Sequence, residues 1–254
     1  MSKRKVRVGV IGCGRIAQRI HLKHLKNNPH VELAAAMDIK DKNLKAACGR
    51  FGITRGYLSA EEMFDGAQPD AVLICTPNWA HQELTVMAAE RGIHVFCEKP
   101  MAVNASECEK MIAACDRAGV HFQLGMCKRF DAGIVKARKM ILSGRLGNVS
   151  QITTSFLNPP MRLDSRMVST VKKLGEAAGI DMEEQWGLWT MTDPRTGGGM
   201  MMEMGTHLLD FILFLAGEEP SYYRGFVNRK RPDMLWEDQG SLLVKFPSGL
   251  IGSV

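Results

Sequence analysis

A chain of 254 residues is long enough for two modest domains or one large one, and either can bury a proper core. Its 45% hydrophobic and 24% charged residues exclude a disordered or fibrous class. The net charge of +6 is mild, no aromatic-laced basic stripe argues for nucleic acid, and no uninterrupted apolar run approaches the ~18 residues of a membrane helix.

The start, MSKRKVRVGVIGCG, is basic and then apolar, but the apolar patch is short and broken by glycine. It fits a first strand better than a signal peptide. The seven cysteines all lie between Cys13 and Cys127 with no C-x-x-C pair, which fits reduced, buried thiols in a cytoplasmic protein. The β-branched run Val6–Ile11 is followed by Gly12-Cys13-Gly14-Arg15-Ile16-Ala17, a G-x-G-x-x-A pattern leading into a helix that ends before Pro29. The first glycine permits a tight turn and the second lets backbone approach a pyrophosphate. The small third residue lets helix pack on strand, with the helix N-terminus facing the phosphates. A second strand, Val31–Met37, ends in Asp38, where a ribose 2′-hydroxyl would be held and a 2′-phosphate repelled. The expected cofactor is therefore NAD over NADP, although a flavin or another nucleotide fits the same pattern.

Helix and strand signals then alternate. Asp41 is placed to cap a helix containing Leu44, Ala47 and Phe51, stopped by Gly52, and Ser59 and Glu62 have capping-box spacing. A buried strand over 71–75 runs into Thr76-Pro77-Asn78, and Asn78 is placed to cap a helix through Glu90. The strand over 93–97 delivers Glu98-Lys99-Pro100. Asn104 and Glu107 cap the next helix, which ends at Gly119, and 120–124 is a further strand. Repeated βαβ units predict an α/β domain over residues 1–124 with a doubly wound parallel sheet. Ligands sit outside the carboxyl ends of such strands, so Lys99 is delivered to the crevice with its backbone restricted by Pro100. His21 and His24, at i and i+3 on the first helix, are expected to face solvent.

After Gly125 the pattern changes. Lys128-Arg129-Phe130 leads into a helix over 132–143 and a strand over 149–156. Residues 157–196, rich in Met, Pro, Gly and Trp, have no strand pattern. A helix is expected around 168–178, and the whole segment reads as a lid, a substrate wall or an insertion used in subunit contact. Gly197-Gly198-Gly199 then precedes a helix and predicts close backbone approach. At about 100° per residue, Glu203, His207 and Asp210 fall on one narrow face. A histidine flanked by two carboxylates is a functional candidate. A metal site is not expected, because one stripe does not converge three ligands. Strands over 222–227 and 241–246, a hairpin at 247–249 and a last strand complete residues 125–254. This half reads as an α/β domain with a largely antiparallel open sheet that is incomplete at its C-terminus.

GVIGCGRIA, then AVLICTPNWAHQELTVMAAERGIHVFCEKP, then GGGMMMEMGTHLLD resemble the Gfo/Idh/MocA family of glucose–fructose oxidoreductase and inositol dehydrogenase, in the family's order. The resemblance implies a Rossmann domain, a C-terminal domain whose open sheet carries oligomer contacts, and NAD(P) chemistry on a sugar, cyclitol or related polyol. It implies that Lys99 is the catalytic lysine, that a cis peptide precedes Pro100, and that His207 is the catalytic histidine. Thr76, Pro77, Asn78 and Arg129 would border the nicotinamide. Cofactor contacts are thus expected from Gly12, Gly14, Arg15, Ile16, Asp38, Thr76, Pro77, Asn78, His81, Glu98, Lys99 and Arg129. Members usually carry Asp four residues before the histidine; here it is Glu203, the third catalytic candidate. Members are also usually longer, so final strands are expected to be missing from this sequence. A homo-oligomer, dimer or tetramer, is expected, with no nucleic-acid or membrane partner. An NAD-dependent glycosidase and a non-catalytic NAD(P)-sensing protein remain as alternative readings.

Overall fold

The computed structural model describes residues 4–157, 170, 173–174, 189–232 and 234–254. The chain divides into two units, Met1–Gly125 and Met126–Val254. The division falls one residue later than the sequence suggests, because the Gly125 N–H donates to Cys97 O at 2.7 Å and stays with the first sheet.

Six strands build the first unit: β1 (Val6–Ile11), β2 (Val31–Met37), β3 (Gly56–Tyr57), β4 (Ala71–Ile74), β5 (His94–Cys97) and β6 (Phe122–Leu124). All pair in parallel in the order β3-β2-β1-β4-β5-β6. Strand side chains alternate between faces, and both faces are buried here. Ile11, Val72, Ile74 and Val95 join Met63 and Met111 in one core. Val8, Val10 and Leu73 join Leu22, Leu44 and Phe51 in the other. Each fully buried aliphatic chain, Leu22 or Ile74 for example, contributes about 1.5–3 kcal/mol. Sheets covered on both sides need near-continuous apolar strands, which is why these segments are legible in sequence. β3 was not anticipated, since two residues carry no period.

The helices are α1 (Leu22–Lys26), α2 (Asp41–Phe51), α3 (Ala60–Ala67), α4 (His81–Glu90) and α5 (Ala105–Ala118). Ser59 accepts from Glu62 N at 3.2 Å and Asn104 from Glu107 N at 2.9 Å, as the capping patterns require. Two expected caps differ. Lys40 N donates to Asp38 Oδ1 at 2.7 Å, which makes extended Lys40 the cap of α2 and moves Asp41 into the first turn, 2.6 Å from Lys45. Asn78 lies buried in a 3-10 turn, Asn78–Ala80, and makes no side-chain cap to α4. The helix after the glycine loop is not α throughout: Ala17–His21 is π-helical before α1 begins.

The second unit contains α6 (Ala132–Leu142), β7 (Gln151–Thr153), α7 (Trp189–Thr192), α8 (Thr206–Ala216), β8 (Tyr222–Asn228), β9 (Gln239–Lys245) and β10 (Ile251–Ser253). The sheet order is β7-β10-β9-β8, antiparallel except for β10 beside β7. Helices α6 and α8 cover one face, where Ile152, Ile212, Leu215, Val244, Phe246 and Leu250 form the core. On the sheet's edge every residue of β8 is exposed, Tyr223 to 70% and Phe226 to 77%. The helix expected around 168–178 lies outside the described residues, apart from helical Thr170, Lys173 and Leu174.

By length and composition alone, the helical run Pro194–Ala216 is apolar enough to cross a bilayer. It is broken into 3-10, π and α segments. It also carries Ile212 and Leu215 in the core and a buried, ion-paired Asp210. These are the marks of a core helix.

Candidate functional site

The first unit gathers its candidate residues at one edge because parallel strands end together. Gly12 N donates to Met37 O, Cys75 N to Ile11 O and Glu98 N to Ile74 O, at 2.7–3.0 Å. The turns after β1, β4 and β5 therefore lie side by side where the strand order reverses, the place such sheets bind nucleotides. Gly12 has φ +86°, and a Cβ there would stand 2.8 Å from the Cys75 carbonyl and 2.9 Å from Thr76 N. Only glycine lets the loops after β1 and β4 approach so closely. Beyond it Gly14 is half-buried, while Arg15 and Ile16 are exposed at the start of the helix. The first amides of that helix point to a site with no acidic side chain in its first turn, which favours an anion.

Asp38 is 6% exposed and its carboxylate is already engaged. Cys13 N donates to Oδ2 and Lys40 N to Oδ1, both at 2.7 Å. A carboxylate offers about four acceptor positions, so capacity for a ribose hydroxyl remains. Asp38 does two things: it sets the glycine loop and puts a negative charge where a 2′-phosphate would sit. Cys13, buried beside it, has its thiol pushed up to about 12 by desolvation and by the Asp38 charge. It is an inert packing residue.

After β4, Thr76 Oγ1 is buried with no hydrogen-bond partner among the described residues, and Asn78, two residues on, is buried as well. An orphaned hydroxyl at this edge costs free energy unless something completes it. Together with the tight Gly12 turn and the exposed helix start, it fits a nucleotide cofactor. His81, expected among the cofactor contacts, is turned inside the fold. It is 1% exposed, with Nε2 2.9 Å from Thr76 O and Nδ1 3.0 Å from Pro100 O. Burial lowers its pKa despite these carbonyls and the Glu98 charge, so the ring is neutral, donates its single N–H to one of the two turns and packs against the other.

Lys99 and Pro100 follow β5, joined by a cis peptide. Glu98 Oε2 accepts from the Lys99 backbone N–H at 3.1 Å, and Oε1 lies 2.6 Å from His21 Nε2. His21 was expected in solvent, but it ends a π turn and lies on Glu98. The ring is half-buried against the Glu-Lys-Pro segment, while His24 stays exposed. No period in the sequence marks that turn.

In the second unit, Gly199 is needed because a Cβ would stand within van der Waals radius of Glu237 O, while Met200 N donates to that same oxygen at 2.9 Å. Glu237 Oε1 takes Gly199 N and Met201 N at 2.9 and 3.1 Å. The glycine run thus closes on the Glu237 backbone. Met201–Gly205 is π-helical and runs directly into α8, so Glu203 lies on a wider turn just before His207. Glu203 and His207 are half-buried, His207 in the first turn of α8. Asp210 faces Arg129, which donates from Nε to both carboxylate oxygens and from Nη2 to Oδ1, at 2.5–3.0 Å. That pairing raises the Arg129 pKa, chiefly through the hydrogen bonds. Arg129, expected beside the nicotinamide, has its guanidinium fork committed to α8 and also lies over Phe214. No cluster suited to a metal occurs among the described residues.

Residues 6–126 match the oxidoreductase family with an NAD-binding Rossmann fold, and residues 134–254 match the C-terminal domain of the same family. Among similar proteins, myo-inositol 2-dehydrogenase of Thermotoga maritima is 30% identical over 84% of this chain and 56% of its own. D-glucoside 3-dehydrogenase of Escherichia coli is 27% identical over 85% of this chain and 56% of its own. The chain therefore spans little more than half the length of these relatives. The WlbA dehydrogenase of Bordetella pertussis, solved with NADH and UDP-GlcNAcA, superposes with a TM-score of 0.80 at 26% identity. That match covers all of this chain and 67% of the solved one. The parallel sheet with its glycine loop, the Glu-Lys-Pro turn and the two matched domains agree: the chain belongs to the Gfo/Idh/MocA oxidoreductase family.

Proposed function

We propose that this protein oxidises a secondary hydroxyl of a sugar, cyclitol or related polyol, with NAD as the acceptor and Lys99 as the proton-accepting group. The observation that carries the reading is the Lys99 turn at the carboxyl edge of the sheet, in line with the Gly12 loop and the unpartnered Thr76 hydroxyl. NAD, when bound, supplies the acceptor for the electron pair of the carbinol C–H bond. The Lys99 amine takes the hydroxyl proton as the C=O bond forms, and later releases it to water. Asp38 favours NAD over NADP, and the Gly14-Arg15-Ile16 backbone holds the pyrophosphate. His207 is the assisting proton carrier and Glu203 its carboxylate neighbour in sequence. The relatives named for inositol and glucoside dehydrogenation support the substrate class.

The same reading makes the protein cytoplasmic, in keeping with seven free cysteines, and free of nucleic-acid or membrane partners. It also makes it a homo-oligomer, in keeping with the exposed aromatic residues of β8. The test is to purify the chain, identify any nucleotide released on denaturation, and follow NADH formation across a panel of inositols, glucosides and nucleotide-linked sugars. NAD release and oxidation of at least one member are expected. Absence of both refutes the reading, and bound NAD with no turnover favours a sensor.

A further inference from the structure

The helix after the glycine loop sends one side chain back to the Glu-Lys-Pro turn. His21 Nε2 and Glu98 Oε1 are 2.6 Å apart, with both side chains 18% exposed. The His21 ring meets Phe96 edge-on, centroids 5.8 Å apart at 64°, so its plane is fixed by packing as well. The second Glu98 oxygen takes the Lys99 backbone N–H at 3.1 Å, and Glu98 N is anchored to Ile74 O at 3.0 Å. Burial pushes the Glu98 carboxyl up. The His21 hydrogen bond and charge, with the Lys99 N–H and ammonium, outweigh it and hold the group below its ordinary value. Glu98 is thus an anion at neutral pH, shared between one donor from the helix and one from the lysine's own peptide.

We propose that His21 is a positioning residue for Lys99: its bond to Glu98 Oε1 fixes the carboxylate that holds the Lys99 peptide, so the helix carrying the cofactor loop also sets the reactive amine. The functional consequence rests on Lys99 being the proton acceptor; the contact itself does not. The buried His81 ring packs against the far end of the same turn, with Nδ1 3.0 Å from Pro100 O. Charge-assisted hydrogen bonds between partly buried groups are among the stronger polar contacts, and small misplacement of a reacting group is costly to rate.

The experiment compares His21→Leu, which keeps bulk without a donor, with His21→Gln, which restores an N–H at similar reach. Two readouts need no substrate. One is the titration of the Glu98 carboxyl by carbon NMR. The other is the rate of reductive methylation of Lys99 by formaldehyde and cyanoborohydride, read by peptide mass spectrometry. His21→Leu should move the Glu98 titration upward and change the Lys99 labelling rate several-fold, with NAD affinity within about twofold of wild type. His21→Gln should return both readouts toward wild type. With the panel polyol that wild type oxidises fastest, His21→Leu should lose about tenfold or more in kcat with little change in KM for NAD.

Unchanged Glu98 titration and unchanged Lys99 labelling in His21→Leu overturn the proposal. If His21→Leu does not fold, His21→Gln decides: wild-type readouts support it and displaced ones overturn it. Lys99→Ala runs in parallel. If it retains oxidation, the proposed base fails; if it is dead while His21→Leu is fully active, only the positioning role fails.

Discussion

Replacing Gly12 with alanine should unfold the first unit's cofactor edge at a calculable cost. The φ of +86° is a left-handed conformation that charges an L-residue about 1–2 kcal/mol. The added Cβ would then stand 2.8 Å from the Cys75 carbonyl, against 3.4–4 Å for ordinary contact. Both the obstructing atoms and Thr76 N are backbone, so relief requires moving the turn after β4, at about 1–3 kcal/mol. Together the loss is roughly 2–5 kcal/mol, or a fall in Tm of about 4–20 °C for a chain of this size. Gly52→Ala is the matched control, since Gly52 has φ +74° but nothing within 4 Å of its Cβ. It should show the conformational part alone. The assay is thermal unfolding of both variants beside NAD binding by fluorescence. Gly12→Ala should lose more stability than Gly52→Ala and bind NAD more weakly, while Gly52→Ala binds normally. If the two lose equal stability and both bind NAD as wild type, the close approach at Gly12 has no energetic weight and the placement of the site fails.

Other consequences follow from the same contacts. Gly14→Val should abolish NAD binding by bulk at the pyrophosphate while the melting curve stays near wild type. Asp38→Ser should narrow the preference for NAD over NADP in competition binding, and it should also lower Tm, because the Cys13 and Lys40 amides lose their acceptor. Acid should weaken the first unit in two windows. Folded His81 has a lowered pKa, so its contribution is complete above the ordinary 6.5 and is lost as pH falls below it. Folded Glu98 is also lowered, so its contribution is present above the ordinary 4.5 and is lost as pH falls through its folded value. Melting temperatures from pH 8 to about 2.5 check both, and His81→Asn should flatten the first window. Asp210→Asn should cost about 1–3 kcal/mol, less than a fully buried pair because Arg129 is 43% exposed, and should be read by urea unfolding.

The parallel sheet was legible because its strands are buried on both faces, and its two side-chain caps because Ser59 and Asn104 satisfy amides within one turn. The cofactor loop was legible from glycine spacing. What sequence could not carry was geometry set by irregular backbone. His21 closes one π turn and Glu203 lies inside another, and neither leaves a mark in a 3.6-residue period. Asp210 looked like a partner for His207 until Arg129, 81 residues earlier, was seen to hold it. His81 looked like a cofactor contact because it follows Thr-Pro-Asn, and the structure packs its ring between the carbonyls of Thr76 and Pro100. A histidine at the start of a largely apolar helix was the available hint, and it points to structure as readily as to chemistry.

The central claim is that Lys99 accepts the substrate's proton, and Lys99→Arg tests it most directly. A guanidinium keeps charge and reach but does not give up its proton at working pH. Steady-state NADH formation should be compared for wild type, Lys99→Arg and Lys99→Ala, with bound NAD quantified in each. The account predicts that both variants bind NAD as wild type does and lose nearly all of kcat. Wild-type kcat in Lys99→Arg would contradict it, for the lysine would then only position substrate and the proton would leave by another group.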